Sequence, residues 1–287
     1  MPKFDVSIVM GSLNRKHLLA HTIDSIRRNV RNISAEIIVI DGGSTDGTCN
    51  WLSKQRDVLT IIQPNYKERQ PDGSVSLAHS WGEFMNIAFK AAVAPWILMV
   101  SDDLILCKGA ISNGLTDLNM RIENGEKIGG GAIFYREYPR DIDYHVKLLQ
   151  GKFVHINHGF FWKQALEEVG YAEEKIFNFY GSDADLTMRL NLAGWQTVPL
   201  SASHAEHLNH KIQISKIIRA RPTPVSHRDI QLFYNKYGGS DYSAKRLVSA
   251  WSDLDNCAKV FWRTSLSACI QGFALRQLDK SRARESL

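Results

Sequence analysis

The strongest constraint on the fold of this chain is an alternation of short apolar runs and helical patterns in its first hundred residues. Apolar runs of strand length occupy residues 6–10, 36–40, 58–62 and 96–100. After Asn14, a residue that favours helix N-termini, apolar side chains recur at helical spacing. Further helices are predicted over residues 45–55 and 75–92. This pattern predicts an α/β fold with a mainly parallel sheet.

Composition places the chain among ordinary globular proteins. Its 287 residues are 44% hydrophobic and 23% charged, which excludes a disordered or fibrous chain. The best apolar run, residues 91–100, contains Pro95 and is shorter than the roughly 20 residues of a membrane span. The N-terminus lacks the pattern of a secretion signal, and the four cysteines lack disulfide or zinc spacing. A cytoplasmic location is therefore expected.

The net charge of +5 is unevenly distributed. Residues 211–287 contain 14 lysines and arginines and 6 acidic residues, so they contribute +8, whereas residues 1–210 contribute −3. An acidic body suits the binding of cations, and the basic segment faces either an anionic partner or solvent. Because the basic excess is confined to this segment, nucleic acid is not an expected partner.

Two acidic clusters follow the second and fourth apolar runs. Asp41 begins the sequence Asp-Gly-Gly-Ser-Thr-Asp-Gly-Thr, and Ser101, Asp102 and Asp103 follow the fourth run. Ligands of open α/β sheets bind beyond the carboxyl ends of the strands, so both clusters are expected at one site. The glycine spacing matches neither the dinucleotide fingerprint nor the P-loop. A plain turn would explain the glycines but not Asp41.

The adjacent Asp102 and Asp103 repel each other unless a cation neutralises them. Mg²⁺ and Mn²⁺ prefer oxygen ligands and bridge such carboxylates to substrate phosphates. The alternative is that one aspartate caps the next turn while the other is solvated. The second acidic cluster at the same edge favours the cation.

Later segments supply further candidate groups. His155, Asn157, His158 and Gly159 precede an aromatic run that lines a sugar or acceptor pocket, or belongs to the core, where aromatic residues are more often found. A Gly-Ser turn is followed by two acids on either side of Ala184, at the start of a predicted helix. The helix dipole favours such acids, and one of them is also placed to face the cleft as a general base.

Three histidines and a glutamate lie within residues 204–210. Their order differs from that of zinc proteases, in which glutamate directly follows the first histidine. A single neutral imidazole that completes the coordination of Mn²⁺ fits this cluster better than a separate zinc site.

The order of these motifs resembles that of family 2 glycosyltransferases with the GT-A fold. The matching segments are residues 7–10, 14–15, 24–26, 36–48, 86, 88, 101–103, 170–171, 181–186, 189–190 and 194–195. The resemblance covers about residues 5–207 and is specific through the order of its motifs. It implies a Rossmann-like, mixed but mainly parallel sheet flanked by helices. The catalytic domain would be residues 1–210, with a nucleotide-binding half (1–103) and an acceptor half (104–210).

The resemblance implies an inverting transfer from a nucleotide-diphosphate sugar to a hydroxyl of a glycan, glycolipid or polysaccharide, assisted by Mn²⁺ or Mg²⁺. Asp183 falls at the position of the general base and Asp103 at that of a metal ligand. The metal-binding histidine is His207 or His204, and the distance from Gly194 favours His207. The residues implied in binding the nucleotide sugar are Gly11, Ser12, Asn14, Asp41, Ser44, Asp102, His158 and Gly159.

Two departures from the family pattern affect these expectations. Asp41 is implied to read the nucleotide base, but Leu13 stands where an aromatic residue often stacks on that base. UDP-, GDP- and dTDP-linked donors therefore stay open. Ser182 replaces the glutamate that usually precedes the base, which leaves Asp183 as the proton acceptor.

Residues 211–287 lie outside the resemblance and are expected to form a basic, mainly helical C-terminal extension. From Leu247, apolar residues recur in steps of four and three, which predicts an amphipathic helix. Residues 245–275 would pack on the catalytic domain or on a second copy in a homodimer. Alternatively they contact a membrane surface or a lipid-linked acceptor, which would make the protein peripheral at the membrane.

Two other functions fit parts of the pattern. A sugar nucleotidyltransferase also uses paired acids on a metal, but it normally has a glycine-rich basic loop after its first strand, and residues 11–16 are a thin version of that loop. The other alternative is a nucleotide-sugar-binding protein without catalytic activity.

Overall fold

The computed structural model describes residues 3–69, 73, 75–138, 141, 143–208, 224–238 and 245–249. The first half of the chain contains β1 (Val6–Ser12), α1 (Lys16–Asn29), β2 (Ala35–Asp41), α2 (Thr48–Leu52), β3 (Val58–Ile62), β4 (Lys67–Arg69), β5 (Val75–Leu77), α3 (Trp81–Ala91) and β6 (Trp96–Met99). The second half contains β7 (Leu104–Leu106), α4 (Ala110–Glu123), β8 (Ile128–Tyr138), β9 (His145–Leu149), β10 (Phe153–Val154), β11 (Gly159–Trp162), α5 (Lys163–Glu168), α6 (Ser182–Leu192), β12 (Gln196–Leu208), α7 (Pro224–Tyr237) and β13 (Lys245–Val248).

One large sheet organises the molecule. Its strand order is β10-β9-β8-β11-β6-β1-β2-β3, with β12 beside β7 and β8 and with β13 beside β9. The ladder from β6 through β1 and β2 to β3 is parallel, whereas β11 runs antiparallel to both of its neighbours. The sheet is therefore mixed, and the parallel part is its N-terminal half. This confirms the mixed α/β fold expected from the sequence.

The core lies on both faces of this sheet, which is why the parallel strands are apolar along their whole length. On one face, Leu19 and Ile23 of α1 pack with β1 and with α4. On the other, Phe89 of α3 packs with α5 and α6. Phe160 and Phe161 are fully buried and belong to opposite faces, as the two-residue period of β11 requires. These two aromatic side chains are therefore core residues.

Two predictions about helices were wrong in detail. The helix predicted over residues 75–92 begins only at Trp81, because Ser80 and Glu83 form a capping box there, and β5 precedes it. Asn14 does not cap α1. Its backbone is left-handed (φ 54°), and its Oδ1 instead accepts a hydrogen bond from Thr45 N at 2.7 Å. Asparagine tolerates this conformation better than most residues.

The described part of the extension packs on the elements before residue 208. Phe233 of α7 is buried against Phe177 and Met188. β13 pairs antiparallel with β9, so the helix predicted to begin at Leu247 does not begin there. The rest of that predicted helix, residues 250–275, lies outside the described residues. Within the described residues, no helix has the length and apolarity that a membrane span requires.

Candidate functional site

Ser12, the last residue of β1, connects the two acidic turns predicted from the sequence. Its carbonyl oxygen accepts a hydrogen bond from Gly42 N at 2.9 Å. Its hydroxyl donates to Asp102 Oδ2 at 2.7 Å. The parallel register pairs Ser12 with Asp41 at the ends of β1 and β2, so the carboxyl edge of the sheet brings both turns together, as expected.

Asp41 stabilises the glycine-rich turn through hydrogen bonds to its backbone. The side chain is fully buried, and Oδ1 accepts hydrogen bonds from Gly43 N at 2.9 Å and Ser44 N at 2.7 Å. Ser44 Oγ donates to Asp41 Oδ2 and in turn accepts from Asn14 N, at 2.7 and 2.8 Å. Gly43 has a φ of 82°, which glycine adopts without strain. These bonds account for the turn itself, and the role of Asp41 in reading a base stays a prediction.

Arg15 lies between the carboxylates of the acidic pair. Its NH1 is 2.9 Å from Asp102 Oδ1 and 3.4 Å from Asp103 Oδ2. Both aspartates are buried, with 3% and 1% exposure. Burial raises the pKa of Asp102 against the attraction of Arg15, and the negative charge of Asp103 adds to the rise. A further positive charge beside Asp102 and Asp103 would therefore stabilise their ionised forms, as expected from the sequence.

The register of β12 places His207 next to this pair. His207 lies opposite Glu137 of β8 and opposite Leu104 of β7, the residue after Asp103. As a result, His207 Nε2 is 3.2 Å from Asp103 Oδ1, and Nδ1 is 3.0 Å from Glu137 Oε1. Although burial opposes it, hydrogen bonding to these two carboxylates raises the pKa of His207 to about 10. Imidazolium therefore supplies positive charge beside Asp103.

His204 faces away from the acidic pair. It is three residues before His207, and an odd separation puts two side chains on opposite faces of a strand. Its Nε2 lies 2.8 Å from Ser249 Oγ, and burial lowers its pKa to about 4. Of the two histidines left open by the sequence, the geometry favours His207 as the metal ligand.

Asp183 stands in the first turn of α6, after the left-handed Gly181. Its Oδ1 accepts a hydrogen bond from Ala184 N at 2.9 Å, and its Oδ2 lies 3.2 Å from both His155 Nε2 and Asn157 Nδ2. Burial alone would raise the pKa of Asp183, but the attraction and hydrogen bond of His155 hold it below the usual value. Asp183 is therefore a fixed, ionised carboxylate.

His158 is close to His207 and feels the charges of both Asp103 and Asp183. It is buried, and its ring centroid is 5.1 Å from that of His207 and 5.0 Å from that of Tyr135. Burial and the charge of His207 lower its pKa to about 3, while Asp103 and Asp183 both act on it in the opposite direction. Neither ring nitrogen has a hydrogen-bond partner among the described residues. A buried polar group in this state calls for an explanation, and a ligand is one.

Two predicted binding glycines have structural explanations. Gly159 belongs to β11, and a Cβ there would lie 2.1 Å from the carbonyl oxygen of Gly131 in β8. Gly11 is near the end of β1, where a Cβ would lie 3.1 Å from the ring of Phe84. The packing requires small residues at both positions, so neither glycine is by itself evidence of a ligand.

Sequence reasoning assigned no role to Arg15 or Glu137. Arg15 stands near the end of β1, so its proximity to the carboxyl edge of the sheet was a usable signal. Glu137 follows no local motif and meets His207 only through the pairing of β8 with β12. The neighbouring pair in this register, Arg136 and Glu206, forms a buried bidentate ion pair at 2.7 and 2.8 Å.

The donor set at Asp103 suits a hard divalent cation. One carboxylate oxygen and one imidazole nitrogen converge there, and Mg²⁺ or Mn²⁺ commonly uses one or two protein ligands together with substrate phosphates and water. Within the described part of the chain, no three acidic, histidine or cysteine side chains form a complete metal site.

Comparison with known proteins adds a family and a fold. Residues 7–120 match the model of a protein family described as glycosyl transferase family 2. This segment runs from β1 through most of α4 and includes Asp41, Asp102 and Asp103. No curated protein sequence matches the chain.

The fold is similar to that of several solved structures. TarS 1–349 from S. aureus, in complex with UDP-GlcNAc, has a TM-score of 0.53 and 13% identity over 80% of this chain and 71% of that chain. Mannosyltransferase PcManGT from Pyrobaculum calidifontis, in complex with GDP-Man and Mn²⁺, has a TM-score of 0.52 and 13% identity over 98% and 90%. A further TarS structure is covered over only 43% of its length. At this identity the likeness shows the fold.

Proposed function

Because residues 7–120 match the glycosyl transferase family 2 model and the fold is that of solved glycosyltransferases, we propose that the chain is a glycosyltransferase that moves a sugar, with inversion, from a nucleotide-diphosphate sugar to a carbohydrate hydroxyl. The observation that carries this proposal is the arrangement around His158. His158 contacts His207, which lies beside Asp103, and both Asp103 and the ionised Asp183 act electrostatically on its ring. The transfer needs a group that can hold the metal and diphosphate of the donor and a carboxylate that can take the proton of the acceptor hydroxyl.

The donor is expected to lie along the carboxyl ends of β1, β2 and β6. The base would meet the turn at Asp41, and the diphosphate would lie near Asp103. TarS and PcManGT were solved with UDP-GlcNAc and with GDP-Man and Mn²⁺, respectively, which supports a nucleotide-sugar donor here. Neither ring nitrogen of the buried His158 has a partner among the residues that the structure describes, so this side chain is a candidate for a hydrogen bond to the donor.

Asp103 and His207 would hold a divalent cation. When bound, such an ion stabilises the negative charge of the departing diphosphate as a Lewis acid. Arg15 and the imidazolium of His207 offset part of the negative charge of the acidic pair, although burial still raises the pKa of Asp102.

Asp183 would act as the general base. The acceptor oxygen attacks the anomeric carbon, the bond from that carbon to the diphosphate oxygen breaks, and its electron pair leaves with the nucleoside diphosphate. The acceptor proton passes to Asp183. His155, Asn157 and the amide of Ala184 fix the carboxylate for this transfer, and its lowered pKa keeps it ionised.

A panel of donors tests the proposed function. The full chain is incubated with UDP-GlcNAc, UDP-Glc, GDP-Man and dTDP-Glc and a mixture of simple sugars as acceptors, with Mn²⁺ or with EDTA, and release of nucleoside diphosphate is measured. Release from at least one donor, lost with EDTA, is expected. Binding without release would instead indicate a nucleotide-sugar-binding protein without catalytic activity.

Replacing Asp183 with asparagine separates catalysis from binding. Asp183→Asn should lower turnover about 10²–10⁴-fold, because a general base contributes about this much. Calorimetric titration of the donor with Mn²⁺ should give an unchanged Kd, since Asp183 is not among the groups that would hold the diphosphate. Asp57→Asn, which alters an exposed carboxylate paired with Arg27, is the matched control. Loss of donor binding in Asp183→Asn would contradict the assignment.

A further inference from the structure

The loop that leads into α6 is held on one side by α3. Asn86 Oδ1 accepts a hydrogen bond from Ala172 N, and Asn86 Nδ2 donates to Ala172 O, both at 2.9 Å. Trp81 N donates to Asn178 O at 2.8 Å. At Gly82, a Cβ would lie 2.0 Å from the carbonyl oxygen of Glu173, so helix and loop are in direct contact.

On the other side, the same loop is held by Asp229 of α7. This side chain is fully buried. Its carboxylate accepts hydrogen bonds from three successive backbone amides, those of Asn178 at 3.2 Å, Phe179 at 2.9 Å and Tyr180 at 3.0 Å. Gly181 follows at once and begins α6. A charged acceptor is stronger than a neutral one, so this contact fixes the backbone close to the start of α6.

The C-terminal end of α7 contacts Asp185, two residues after Asp183. Lys236 Nζ and the hydroxyl of Tyr237 donate to Asp185 Oδ1 at 2.6 and 2.7 Å. Asp185 is fully buried, and Arg189 Nε donates to its second oxygen at 2.8 Å. The backbone before Asp183 and the side chain two residues after it are therefore both tied to α7.

We infer that α7 is part of the catalytic apparatus and that Asp229 is a positioning residue, which with Lys236 and Tyr237 fixes where Asp183 meets the acceptor. The inference rests on the proposed function. Asp229 acts through the backbone of residues 178–180 and not through contact with the reacting atoms. A base must lie within hydrogen-bond reach of the proton it removes, and a displacement of 1 Å costs about 10²-fold in rate.

Asp229→Asn in the full chain tests this inference. Asparagine keeps the size of the side chain, but its amide nitrogen cannot accept an N–H bond, so the loop loses part of its support. For the donor that the wild type turns over, kcat should fall about 10²-fold, and KM for the donor should stay within about twofold, because the donor-binding groups belong to other elements. Exchange of the amides of residues 178–180 should become faster. Gln231→Ala, on the exposed side of α7, is the matched control and should leave kcat unchanged.

Tyr237→Phe provides a milder second variant, since it removes one hydroxyl and keeps the ring. Its kcat should fall about tenfold with the donor KM unchanged, and it decides the question if Asp229→Asn does not fold. Wild-type kcat in the folded variants, or a rise in KM without a change in kcat, would overturn the inference while the proposed function stands. A wild type that is inactive with all four donors would overturn both.

Discussion

At the residue scale, the site depends on which side of a strand a side chain occupies. β12 directs His207 towards Asp103 and His204 towards Ser249. The sequence leaves both histidines open as ligands, with the distance from Gly194 favouring His207, and the two faces of β12 distinguish them. The same reasoning applies to Glu137, whose position opposite His207 makes it the hydrogen-bond partner of the ring nitrogen that a metal would not use.

His207→Ala should therefore abolish Mn²⁺-dependent binding of the donor nucleotide, and His204→Ala should retain it. The physical reason is that His207 supplies the nitrogen beside Asp103, whereas His204 is occupied by Ser249. Calorimetric titration of UDP and GDP, with and without Mn²⁺, measures the difference. Thermal melting of both variants provides the control for folding. The assignment is wrong if His204→Ala loses metal-dependent binding while His207→Ala keeps it.

The acidic residues of the site could be found from the sequence because each sits in a local motif at a strand or helix end. Asp41, Asp102, Asp103 and Asp183 all follow an apolar run or a glycine turn, and local order places them at one edge. Arg15 could have been assigned from its position after β1, whereas Glu137 could not, because its contact with His207 depends on strand register and on side-chain direction. Neither is encoded within a short window of sequence.

At the element scale, the pairing of β8 with β12 carries a row of charges. Arg136 and Glu206 lie directly opposite each other, with side-chain exposures of 6% and 0%, and the next pair in register is Glu137 with His207. The hydroxyl of Tyr144 also donates to Glu206. Buried charge of this kind is stable only while both partners are present, so the ion pair also fixes the register that places His207.

Glu206→Gln should destabilise the protein by about 3–5 kcal/mol, because it leaves the buried guanidinium of Arg136 without its counter-charge. Urea unfolding followed by circular dichroism measures the change. The exposed pair of Arg27 and Asp57 offers the comparison, since Asp57→Asn should cost at most about 1 kcal/mol. Equal effects of the two substitutions would show that the buried pair contributes no more than a surface one.

At the scale of the whole molecule, the described part of the C-terminal extension packs against the elements that precede it. One face of α7 carries four side chains whose positions are separated by four, three and one residues. They are Asp229, Phe233, Lys236 and Tyr237. All four contact the loop before α6 or α6 itself. Because this face is part polar and part aromatic, the sequence of α7 shows no apolar stripe that would predict its packing. The change in net charge near residue 210 instead leads to the expectation of a separate extension.

Phe233→Ala should lower the stability of the whole protein by about 3–5 kcal/mol, the usual cost of removing a buried aromatic side chain. Because its ring packs on Phe177 and Met188 of the catalytic body, differential scanning calorimetry should show the main unfolding transition moving to lower temperature. Phe179→Ala, which alters a side chain with 48% exposure, is the control. A main transition that does not move would mean that α7 unfolds separately from the catalytic body.

Ser12 has one further consequence. A single residue holds the turn at Asp41 through its carbonyl oxygen and the acidic pair through its hydroxyl. The spacing between the two ends of the expected donor site is thus set by the covalent length of one amino acid before any substrate arrives. We expect this fixed distance to select donors by length. Activated sugars with one phosphate too few or too many would not reach both ends of the site, whatever their charge.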